Sequence, residues 1–383
     1  MNEQADIVII GGGIVGCSTA YQLAKMGGAG RIILLEKDFI CSGSTGRCGA
    51  GIRQQWGTET NCALAIRSVE MFENLREELD YPEDMEFKQG GYLMMAHTEH
   101  MLDQFRKNVA LQRRLGVDVS LITPQEAREI VPMLNTDGML GGTFCQRDGH
   151  LNPFKVTDAY ARAAKRLGVE IRLRTEVTGL VREGDRITAV DTKTGRISAG
   201  KIINCSGAWA GELCRKAGVE TPFYAEKHQI LVTEPIEPCV KPMVISLYHG
   251  LYCQQSPHGS FIMGIGHPNE PRGFEMKADW RFASEMASKV TYLLPRLKDL
   301  HVVRQWAGLY DMTPDAQPVY GLVPPLTNFY VAAGFSGHGF MHGPITGVLM
   351  SEIISGRPTS VDVSMLDMGR FERGDLFIEP SVV

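Results

Sequence analysis

The sequence predicts an α/β fold in which a Rossmann-like nucleotide-binding domain is interleaved with an α+β domain built on an antiparallel sheet. Three observations support this prediction. A hydrophobic strand runs into a glycine-rich turn near the start, short strands alternate with turns over residues 221–320, and a second glycine-flanked turn spans residues 333–340. A buried strand, a glycine turn and a helix are the parts of a βαβ unit. Because such parts occur towards both ends, we expect both ends to build one domain.

The first βαβ unit opens with the hydrophobic strand 6–10 and ends with a second hydrophobic run, 32–35. Three glycines between them have separate roles in such a unit. Gly11 permits a tight turn, Gly13 lets the backbone approach a pyrophosphate, and Gly16 lets the helix pack closely on the strand.

The same unit carries the signals of a dinucleotide site. A pyrophosphate would lie at the helix N-terminus, at Ile14 and Val15, where unpaired N–H groups and the helix dipole favour negative charge. Glu36 directly follows the second strand and would accept hydrogen bonds from both ribose hydroxyls. A carboxylate there would repel a 2′-phosphate, so the unit favours FAD or NAD over NADP.

The composition argues against several function classes. With 383 residues, 44% of them hydrophobic, the chain can bury a large core and is expected to form two domains. A net charge of −5 without a long basic run argues against nucleic acid as a partner. No apolar run approaches the roughly 20 residues that span a bilayer, so no transmembrane segment is expected.

The nine cysteines are scattered, and no two of them form a C-x-x-C pair. This pattern favours reduced thiols that pack as small hydrophobic side chains, and it supports no metal site. The charged residues Glu3 and Asp6, followed at once by the first strand, argue against a signal peptide. A cytoplasmic location is therefore the expectation.

The predicted elements follow from periodicity and turn residues. The predicted helices are 61–79, 101–115, one that starts at 123–127 with proline in its first turn, 156–167 and 347–354. The further predicted strands are 87–95 as a strand pair, 170–174, 187–191, 195–198, 201–205, 228–233, 243–246, 251–255, 261–264, 301–309 and 329–334. Residues 1–80, 145–220 and 321–383 are predicted to form the nucleotide-binding domain, and residues 81–144 and 221–320 a substrate domain.

Four segments give the chain a resemblance to a known family. They are the glycine motif with Glu36, the small-residue stretch 42–51, the segment 204–209 and the segment 333–340. With them, nearly the whole sequence resembles the FAD-dependent amine and amino-acid oxidoreductases typified by D-amino-acid oxidase and sarcosine oxidase. The resemblance implies a flavoprotein of the GR2 type and FAD as the cofactor. It also implies oxidation of a C–N bond in an amino acid by hydride transfer to flavin N5.

Within this family the sequence is most similar to β subunits of multi-subunit enzymes, namely dye-linked L-proline dehydrogenase, heterotetrameric sarcosine oxidase and hydrogen cyanide synthase. The strings at 51–55, 227–229, 306–308 and 370–374 particularly resemble the proline dehydrogenase β subunit. The likeness implies a small, secondary amino-acid substrate such as proline, hydroxyproline or sarcosine. It also implies an α subunit and a small iron–sulfur subunit as partners, and an FMN at a subunit interface as a second cofactor.

Carried over residue by residue, the resemblance assigns an FAD site. The residues assigned to it are Gly11, Gly13, Ile14, Val15, Gly16, Glu36 and Lys37 for the ADP half, Val177 on the adenine side, Ser44, Thr45, Arg47, Gly49, Ala50 and Gly51 along the pyrophosphate and flavin, Ser206, Gly207 and Trp209 at the centre, and Gly308, Gly337, His338, Gly339, Phe340 and Met341 beside the isoalloxazine. N–H groups at the start of the last helix would stabilise negative charge on the reduced ring. Core packing is the alternative role of Trp209, and a simple tight turn is the alternative for 337–339.

Departures from the family pattern bear on the chemistry. Monomeric sarcosine oxidases attach FAD to a cysteine where this sequence has Gly308, so we expect FAD to be non-covalent. Those oxidases also carry an oxygen-activating lysine where this sequence has Met263, and the missing cation favours a dehydrogenase. The region of the FMN-linked histidine contains His150 but does not align cleanly, so a covalent FMN is not expected.

The substrate site needs a group that binds a carboxylate and a place for the amine. Candidate anchors are Arg53, which offers a bidentate fork, and His228, Tyr252 and Tyr310. Arg53 has an alternative role in pinning FAD or a buried acid, and the histidines have one as satisfied core residues. His267 matches an active-site histidine of the family and is the candidate that polarises the amine or positions the substrate. No general base is required when the amine binds neutral.

Other functions stay open on the sequence. A stand-alone FAD amino-acid oxidase would release peroxide, and a stand-alone dehydrogenase would reduce a soluble quinone or dye. An NAD-dependent dehydrogenase would leave the segment 334–340 unexplained, and an assembly subunit would hold its flavin without turnover. Because the cysteines lack cluster spacing, this chain is not expected to carry an iron–sulfur relay, which favours partner subunits.

Overall fold

The structure, a computed structural model, describes residues 3–267 and 270–380. Over these residues the helices are α1 (Ile14–Met26), α2 (Glu59–Glu78), α3 (Glu99–Arg114), α4 (Pro124–Ile130), α5 (Pro153–Arg166), α6 (Ala210–Lys216), α7 (Trp280–Leu293), α8 (Gly339–Ile354) and α9 (Arg370–Arg373). The strands are β1 (Glu3–Ile10), β2 (Ile32–Leu35), β3 (Gly51–Ile52), β4 (Tyr92–Ala96), β5 (Val119–Ile122), β6 (Gly141–Cys145), β7 (Gly149–His150), β8 (Glu170–Arg172), β9 (Val177–Glu183), β10 (Arg186–Thr192), β11 (Gly195–Asn204), β12 (Tyr224–Pro235), β13 (Met243–Ser246), β14 (Leu251–Gln255), β15 (Ser260–Ile265), β16 (Val302–Met312), β17 (Val319–Leu322) and β18 (Phe329–Ala333). None of the helices in the described part of the chain has the length and apolar content to cross a bilayer.

The first sheet joins the two ends of the chain. Its strands run in the order β17–β18–β11–β1–β2–β8, and β9 and β10 extend it from β11. The strands from β18 to β8 are parallel to one another, and they are hydrophobic runs because both faces of the sheet are covered. One face packs on α1, α2, α5 and α8, and the other on β9, β10 and α6. The predicted fold class is confirmed by this arrangement.

The second sheet has the order β16–β12–β15–β14–β13–β4–β6–β5. Its pairs are antiparallel except that β13 and β4 run parallel. One face packs on α7 through Phe282, Met286 and Val290, which leaves the opposite face free to meet the first sheet's loops. Its strands come from residues before 146 and from 221–320, but the division into domains at the predicted boundaries remains a prediction.

Two strand predictions are wrong in detail. The two predicted strands 195–198 and 201–205 are a single strand, β11, which ends at Asn204. Residues 195–198 pair with β10, and residues 197–204 pair with β1 without a break between the two predicted strands. Residues 87–95 form no strand pair, since only β4 is a strand there. Gly91 has φ +90° and turns the backbone just before β4, which ends the extended run on that side.

A buried ion pair fixes the segment after α8. Arg370 and Asp315 are both fully buried, and the guanidinium donates to both carboxylate oxygens at 2.8 and 3.0 Å. The same guanidinium also donates to the backbone carbonyls of Gln317 and Pro318. Since the fork satisfies several acceptors at once, this pair holds α9 and the following residues against the first sheet.

We expect Arg370→Lys to lower the free energy of unfolding by about 2 kcal/mol, because lysine keeps the charge but cannot donate bidentately to Asp315. Urea unfolding followed by circular dichroism measures the change. The control is Arg373→Lys, whose ion pairs with Asp367 and Asp375 are half-exposed. That variant should stay within about 0.5 kcal/mol of wild type. Equal losses of unfolding free energy in the two variants would contradict the stabilising role given to the Arg370–Asp315 pair.

Candidate functional site

A cavity of about 340 Å³ lies where the loops of the first sheet meet the second sheet. Its walls are the glycine turn after β1, the loop 42–51, the turn before α8, and strands β12–β14 and β16. Nearly all residues assigned to FAD or substrate from the sequence line it. They are Gly11, Gly13, Ile14, Val15, Glu36, Lys37, Ser44, Thr45, Arg47, Gly49, Ala50, Gly51, Arg53, Val177, Ser206, Gly207, Trp209, His228, Tyr252, Gly308, Tyr310, Gly337, His338, Gly339, Phe340 and Met341.

Two assigned residues do not line the cavity. A Cβ on Gly16 would overlap the carbonyl oxygen of Gly11, so Gly16 serves the packing of α1 on the turn. His267 follows the end of β15, and its carbonyl accepts from the N–H of Glu270. His267 is thus next to Gly266, which lies close to the His228 ring, but it is not part of the cavity wall, and its role at the substrate stays a prediction.

Three helices, α1, α6 and α8, begin at the cavity without a capping hydrogen bond from their own N-cap side chain. Since α6 carries the acidic Glu212 in its first turn, only the starts of α1 and α8 suit an anion. The N-cap residues of α1 and α8 are Gly13 and His338, and neither side chain accepts a capping hydrogen bond. In contrast, α3, α4, α5 and α7 are capped by their own N-cap side chains. Unpaired N–H groups at a helix start attract negative charge. The cavity therefore presents two places that suit an anion, one of them at the dinucleotide turn.

The turn before α1 leaves room for a ligand rather than for side chains. Gly11 has φ +115°, and a Cβ on it would overlap the carbonyl oxygen of Cys205. A Cβ on Gly13 would meet Thr45 Oγ1 at 3.0 Å and otherwise point into the cavity. Thr45 Oγ1 in turn accepts from the N–H of Ile14 at 3.2 Å. The geometry fits a pyrophosphate seated on this backbone.

Glu36 is 7% exposed and holds the neighbouring loops. Its Oε2 accepts from the Gly12 N–H at 2.7 Å, and its Oε1 accepts from the Asp38 N–H and the Ser42 hydroxyl. A carboxylate has about four acceptor positions, so one more donor such as a ribose hydroxyl can be accommodated.

At the same end of the cavity, Trp209 lies on the wall. The ammonium of Lys37 is 3.2 Å from the centroid of its ring, and Phe274 stacks on it at 5.9 Å. Trp209 thus lies on the cavity wall and also packs against a small core cluster, and its contact with the cofactor stays a prediction. Burial lowers the pKa of Lys37, an effect that the nearby Glu36 opposes.

The loop 42–51 bridges the two sheets. The Ser44 hydroxyl donates to the Leu309 carbonyl at 2.5 Å, and the Trp306 indole donates to the Arg47 carbonyl at 3.0 Å. The guanidinium of Arg47 donates to the carbonyls of Ser42 and Gly43. Because β16 is tied to this loop, the second sheet is held over the dinucleotide turn.

Asp311 fixes the turn before α8. Its Oδ2 accepts from the N–H groups of Gly334 and Phe335 at 2.7 and 3.2 Å, and its carbonyl accepts from Ser336. A Cβ on Gly337 would overlap the ring of Tyr310, so the turn and β16 touch directly. This carboxylate was missed in the sequence, where it is marked only by its position next to Tyr310.

The loop 53–58 brings a guanidinium and an indole to the cavity. Arg53 is 4% exposed, and its guanidinium carbon lies 4.0 Å from the centroid of the Trp56 ring. The indole of Trp56 donates to the Arg53 carbonyl at 3.1 Å. Trp56 also contacts His338 and His342 edge-on or tilted, at 5.0 and 5.4 Å between ring centroids. A positive charge is therefore held rigidly beside the start of α8.

Phenol and imidazole rings form a further part of the cavity wall, the phenol wall, near Arg53. His228 and Tyr310 stack in parallel at 3.6 Å, and Tyr92 and Tyr252 line the same region. Burial raises the pKa of Tyr310 to about 12 and that of Tyr252 well above its usual value, so both hydroxyls stay protonated. A neutral phenol can both donate to a carboxylate and accept from an amine.

The carboxylate of Asp148 anchors the first residues of the loop 53–58. It is fully buried, and it accepts from the Gln54 N–H at 2.7 Å and from the Gln55 amide at 2.9 Å. Burial raises its pKa to about 6, and the hydrogen bonds from Gln55 and Gln54 only partly oppose this. The folded protein therefore binds this proton more tightly than the unfolded chain does.

The sign of this shift gives a pH prediction. Because the folded pKa is raised, Asp148 contributes stability that is fully present below about pH 4 and is lost as the pH rises through about 6. The unfolding free energy of wild type relative to Asp148→Asn should therefore fall by up to about 3 kcal/mol between pH 4 and pH 7. Urea unfolding of both proteins across this range measures it, and parallel curves would contradict it.

The structure also places three residues that bear on the chemistry: Met263 and His150, which the sequence argument used, and Cys48. Met263 is 1% exposed in the core under α7, on the side of β15 away from the cavity, so its identity says nothing about cations near a ligand. His150 is 6% exposed and lies in β7. Cys48 lines the cavity, where burial raises its pKa to about 12 and leaves it a thiol. No group of three or more potential metal ligands is found in the described ranges.

Some wall residues were not identified from the sequence. Apart from Asp311, Trp56 and Tyr92, they are chiefly Ile230, Met243 and Ile245 on the second sheet and Thr175, Glu176, Glu212, Leu213 and Lys216 near the dinucleotide turn. Tyr92 and Met243 are register partners on adjacent strands. Alternation along β13, which places residues 243 and 245 on one face, was the signal that could have found two of them.

Comparisons with known proteins agree with this geometry. The sequence pattern of the FAD dependent oxidoreductase family, DAO, matches residues 6–353. The sarcosine oxidase β subunit of Arthrobacter sp is 32% identical over 98% of this chain and 93% of that protein. The crystal structure of L-proline dehydrogenase from P. horikoshii superposes with a TM-score of 0.93 and 40% identity, covering 98% of this chain and all of that one. Glycine oxidase from Geobacillus kaustophilus, 24% identical over 96% of this chain and 99% of that one, shares the fold with a TM-score of 0.88. The chain therefore belongs to the DAO family of FAD-dependent oxidoreductases, which confirms the predicted family and FAD, not NAD, as its cofactor.

Proposed function

We propose that this protein oxidises the C–N bond of a small amino acid that carries one carboxylate, a secondary amino acid such as proline, hydroxyproline or sarcosine. The observation that carries the proposal is the buried guanidinium of Arg53 in the same cavity as the dinucleotide turn. The names of the relatives, sarcosine oxidase β subunit and L-proline dehydrogenase, support the same substrate class. A buried cation with a planar fork suits a carboxylate.

The proposed FAD site uses the motif residues on the cavity wall. The pyrophosphate would sit on the backbone at Gly13 with Thr45 beside it, and Glu36 would take a ribose hydroxyl. The uncapped start of α8, at His338 and Gly339, would face the pyrimidine edge of the flavin. FAD, when bound, supplies the acceptor for the hydride, which carries the two electrons that leave the substrate.

The proposed substrate site lies between Arg53 and the phenol wall. Arg53 would hold the carboxylate, with Tyr252 and Tyr310 as further hydrogen-bond donors. The acidic residues of the wall, Glu36, Glu176, Glu212 and Asp311, lie at the dinucleotide turn or hold the turn before α8, so none is placed to pair with a substrate ammonium. The amine is therefore proposed to bind neutral, and Met243 and Ile245 give the carbon skeleton an apolar surface.

We expect the FAD to be non-covalent. Gly308 offers no thiol, and a Cβ there would already meet Arg47 at 3.0 Å. Cys48 remains protonated on the wall and is a poor nucleophile for attachment. Acid precipitation of the purified protein should release a yellow supernatant. A pellet that keeps the flavin would overturn this part of the proposal.

We further propose that the chain works as the β subunit of a larger dehydrogenase. Among the residues described, no cysteine cluster offers an iron–sulfur relay, and the scattered cysteines are mostly buried. The α and iron–sulfur partner subunits, the interfacial FMN and a cytoplasmic location stay predictions of the family resemblance. Co-purification from the native host with a tag on the N-terminus tests the partners. One polypeptide, fully active with its physiological acceptor, would contradict them.

A stand-alone oxidase is the second candidate, since Met263 lies in the core and so does not argue against oxygen as the acceptor. The two candidates differ in what accepts the electrons. A dehydrogenase should reduce an artificial dye much faster than it forms peroxide. Stoichiometric peroxide release on substrate addition would favour the oxidase.

A further inference from the structure

The loop 53–58 is held on a second side by a carboxylate from the far end of the chain. Glu379 is 5% exposed. Its Oε1 accepts from the Gly57 N–H at 2.8 Å, and its Oε2 accepts from the Thr58 hydroxyl at 2.7 Å and the Asn61 amide at 2.9 Å. Thus Asp148 holds the residues just after Arg53, while Glu379 holds the residues just after Trp56.

Glu379 lies beside the start of α2, where it accepts from the Gly57 N–H, the Thr58 hydroxyl and the Asn61 side chain. Thr58 is the N-cap residue of α2, but its own side chain makes no capping hydrogen bond, and its hydroxyl donates to Glu379 instead. A carboxylate at a helix N-terminus is favoured by the unpaired N–H groups and the helix dipole. The start of α2 is therefore set by a residue more than 300 positions away in the sequence.

The held segment leads directly to the guanidinium in the cavity. Trp56 precedes Gly57, and its ring lies under Arg53 at 4.0 Å. The Trp56 carbonyl accepts from the Gln112 amide at 2.7 Å, so the indole is fixed from its backbone side as well. Glu379 also attracts Arg53 electrostatically, since both charges are buried. Any shift at Gly57 would move the surface on which the guanidinium rests.

The tail reaches this place along a fixed path. The Arg370–Asp315 pair anchors α9, and the Phe377 N–H donates to Asp315 at 3.4 Å. Leu376 and Ile378, the residues on either side of Phe377, are 49% and 76% exposed. Their side chains therefore contribute little to holding the tail on the rest of the protein. Pro380 lies against Gly57, and the side chain of Glu379 makes the hydrogen bonds that join the end of the tail to the loop.

We propose that Glu379 is a positioning residue that holds Arg53 in the orientation that binds the substrate carboxylate, an inference that rests on the proposed function of Arg53. Its role is exerted through Gly57 and Trp56, without contact with substrate. Loss of its negative charge should therefore weaken binding of a carboxylate while FAD binding is retained.

The test compares Glu379→Gln with Asp375→Asn in the FAD-loaded full chain. The first variant keeps the side-chain shape but removes the charge and one acceptor. The control removes a carboxylate from the same tail, where Asp375 is exposed and pairs with Arg373. The probe is propionate, a carboxylate without an amine, whose binding is followed through the flavin's visible spectrum. Exchange of the Gly57 amide is measured by mass spectrometry.

Glu379→Gln should weaken propionate binding by about 10- to 30-fold and speed exchange at Gly57, with the FAD affinity unchanged. Asp375→Asn should match wild type in propionate affinity, in exchange at Gly57 and in FAD affinity. If Glu379→Gln exchanges faster at Gly57 but binds propionate as tightly as wild type, Glu379 only stabilises the start of α2, and the inference is overturned. Wild-type protein that binds no propionate would instead overturn the role of Arg53 in the proposed function.

A second variant serves if Glu379→Gln fails to fold. Thr58→Ala removes one donor to Glu379 and should still weaken propionate binding several-fold. A Thr58→Ala protein with wild-type propionate affinity would overturn the inference.

Discussion

Replacing Gly13 with valine is expected to give a folded protein that has lost FAD. Gly13 has φ −80°, which valine adopts without strain, and its Cβ would meet only Thr45 Oγ1 before entering the cavity. The rest of the side chain would then occupy the space proposed for the pyrophosphate. We expect the dissociation constant of FAD to rise at least about 1,000-fold, equivalent to about 4 kcal/mol. Flavin content after purification and a reconstitution titration measure it.

The matched control is Gly179→Val in β9. A Cβ there makes only ordinary contact with Asp191 at 3.4 Å, and the residue does not line the cavity. Valine suits a strand, so this variant should keep its FAD. Circular dichroism should show the same helix and strand content for both variants. A Gly13→Val protein that purifies fully yellow would contradict the proposed seat of the pyrophosphate.

Arg53→Lys is expected to lower kcat/KM for an amino-acid substrate by two to three orders of magnitude while FAD stays bound. Lysine keeps the positive charge that the buried Asp148 and Glu379 balance, but it lacks the fork that holds a carboxylate bidentately. The expected loss corresponds to roughly 3–4 kcal/mol, within the range for breaking a buried, hydrogen-bonded charge pair. Anaerobic flavin reduction, monitored in a stopped-flow instrument, measures it.

Two comparisons isolate the carboxylate in this experiment. Arg304→Lys, at an exposed position of β16, should leave the rate unchanged. Pyrrolidine has the ring and amine of proline without the carboxylate, so its slow oxidation should be similar in wild type and Arg53→Lys. Equal losses for proline and pyrrolidine would mean that Arg53 acts on something other than the carboxylate.

The fold was largely predictable because its signals are local. The glycine turn between β1 and α1 and the hydrophobic runs of β1, β2, β11 and β18 indicate parallel strands at both ends of the chain. The short strands of 221–320 indicate the second sheet. In contrast, β4, β5 and β6 join that sheet through pairing with β13, a long-range contact with no local signal.

The candidate site was predictable only where a motif marks it. Nearly all motif residues line one cavity, whereas Met263 was placed by alignment and lies on the opposite face of β15. A shift of one residue along a strand reverses the face, and alignment alone does not reveal it. Asp311 and Glu379 act on distant backbone N–H groups. No sequence pattern links an acid at 379 to a glycine at 57, so only the folded chain brings them together.

The central claim is that one cavity holds FAD beside a site for a small amino acid. The most direct measurement is anaerobic addition of proline, hydroxyproline, sarcosine, glycine and other small amino acids to the purified protein, with the flavin spectrum recorded. The account predicts a yellow protein whose visible flavin band is bleached by at least one secondary amino acid. A protein that takes up no FAD, or whose flavin stays oxidised with every compound of the panel, would contradict it.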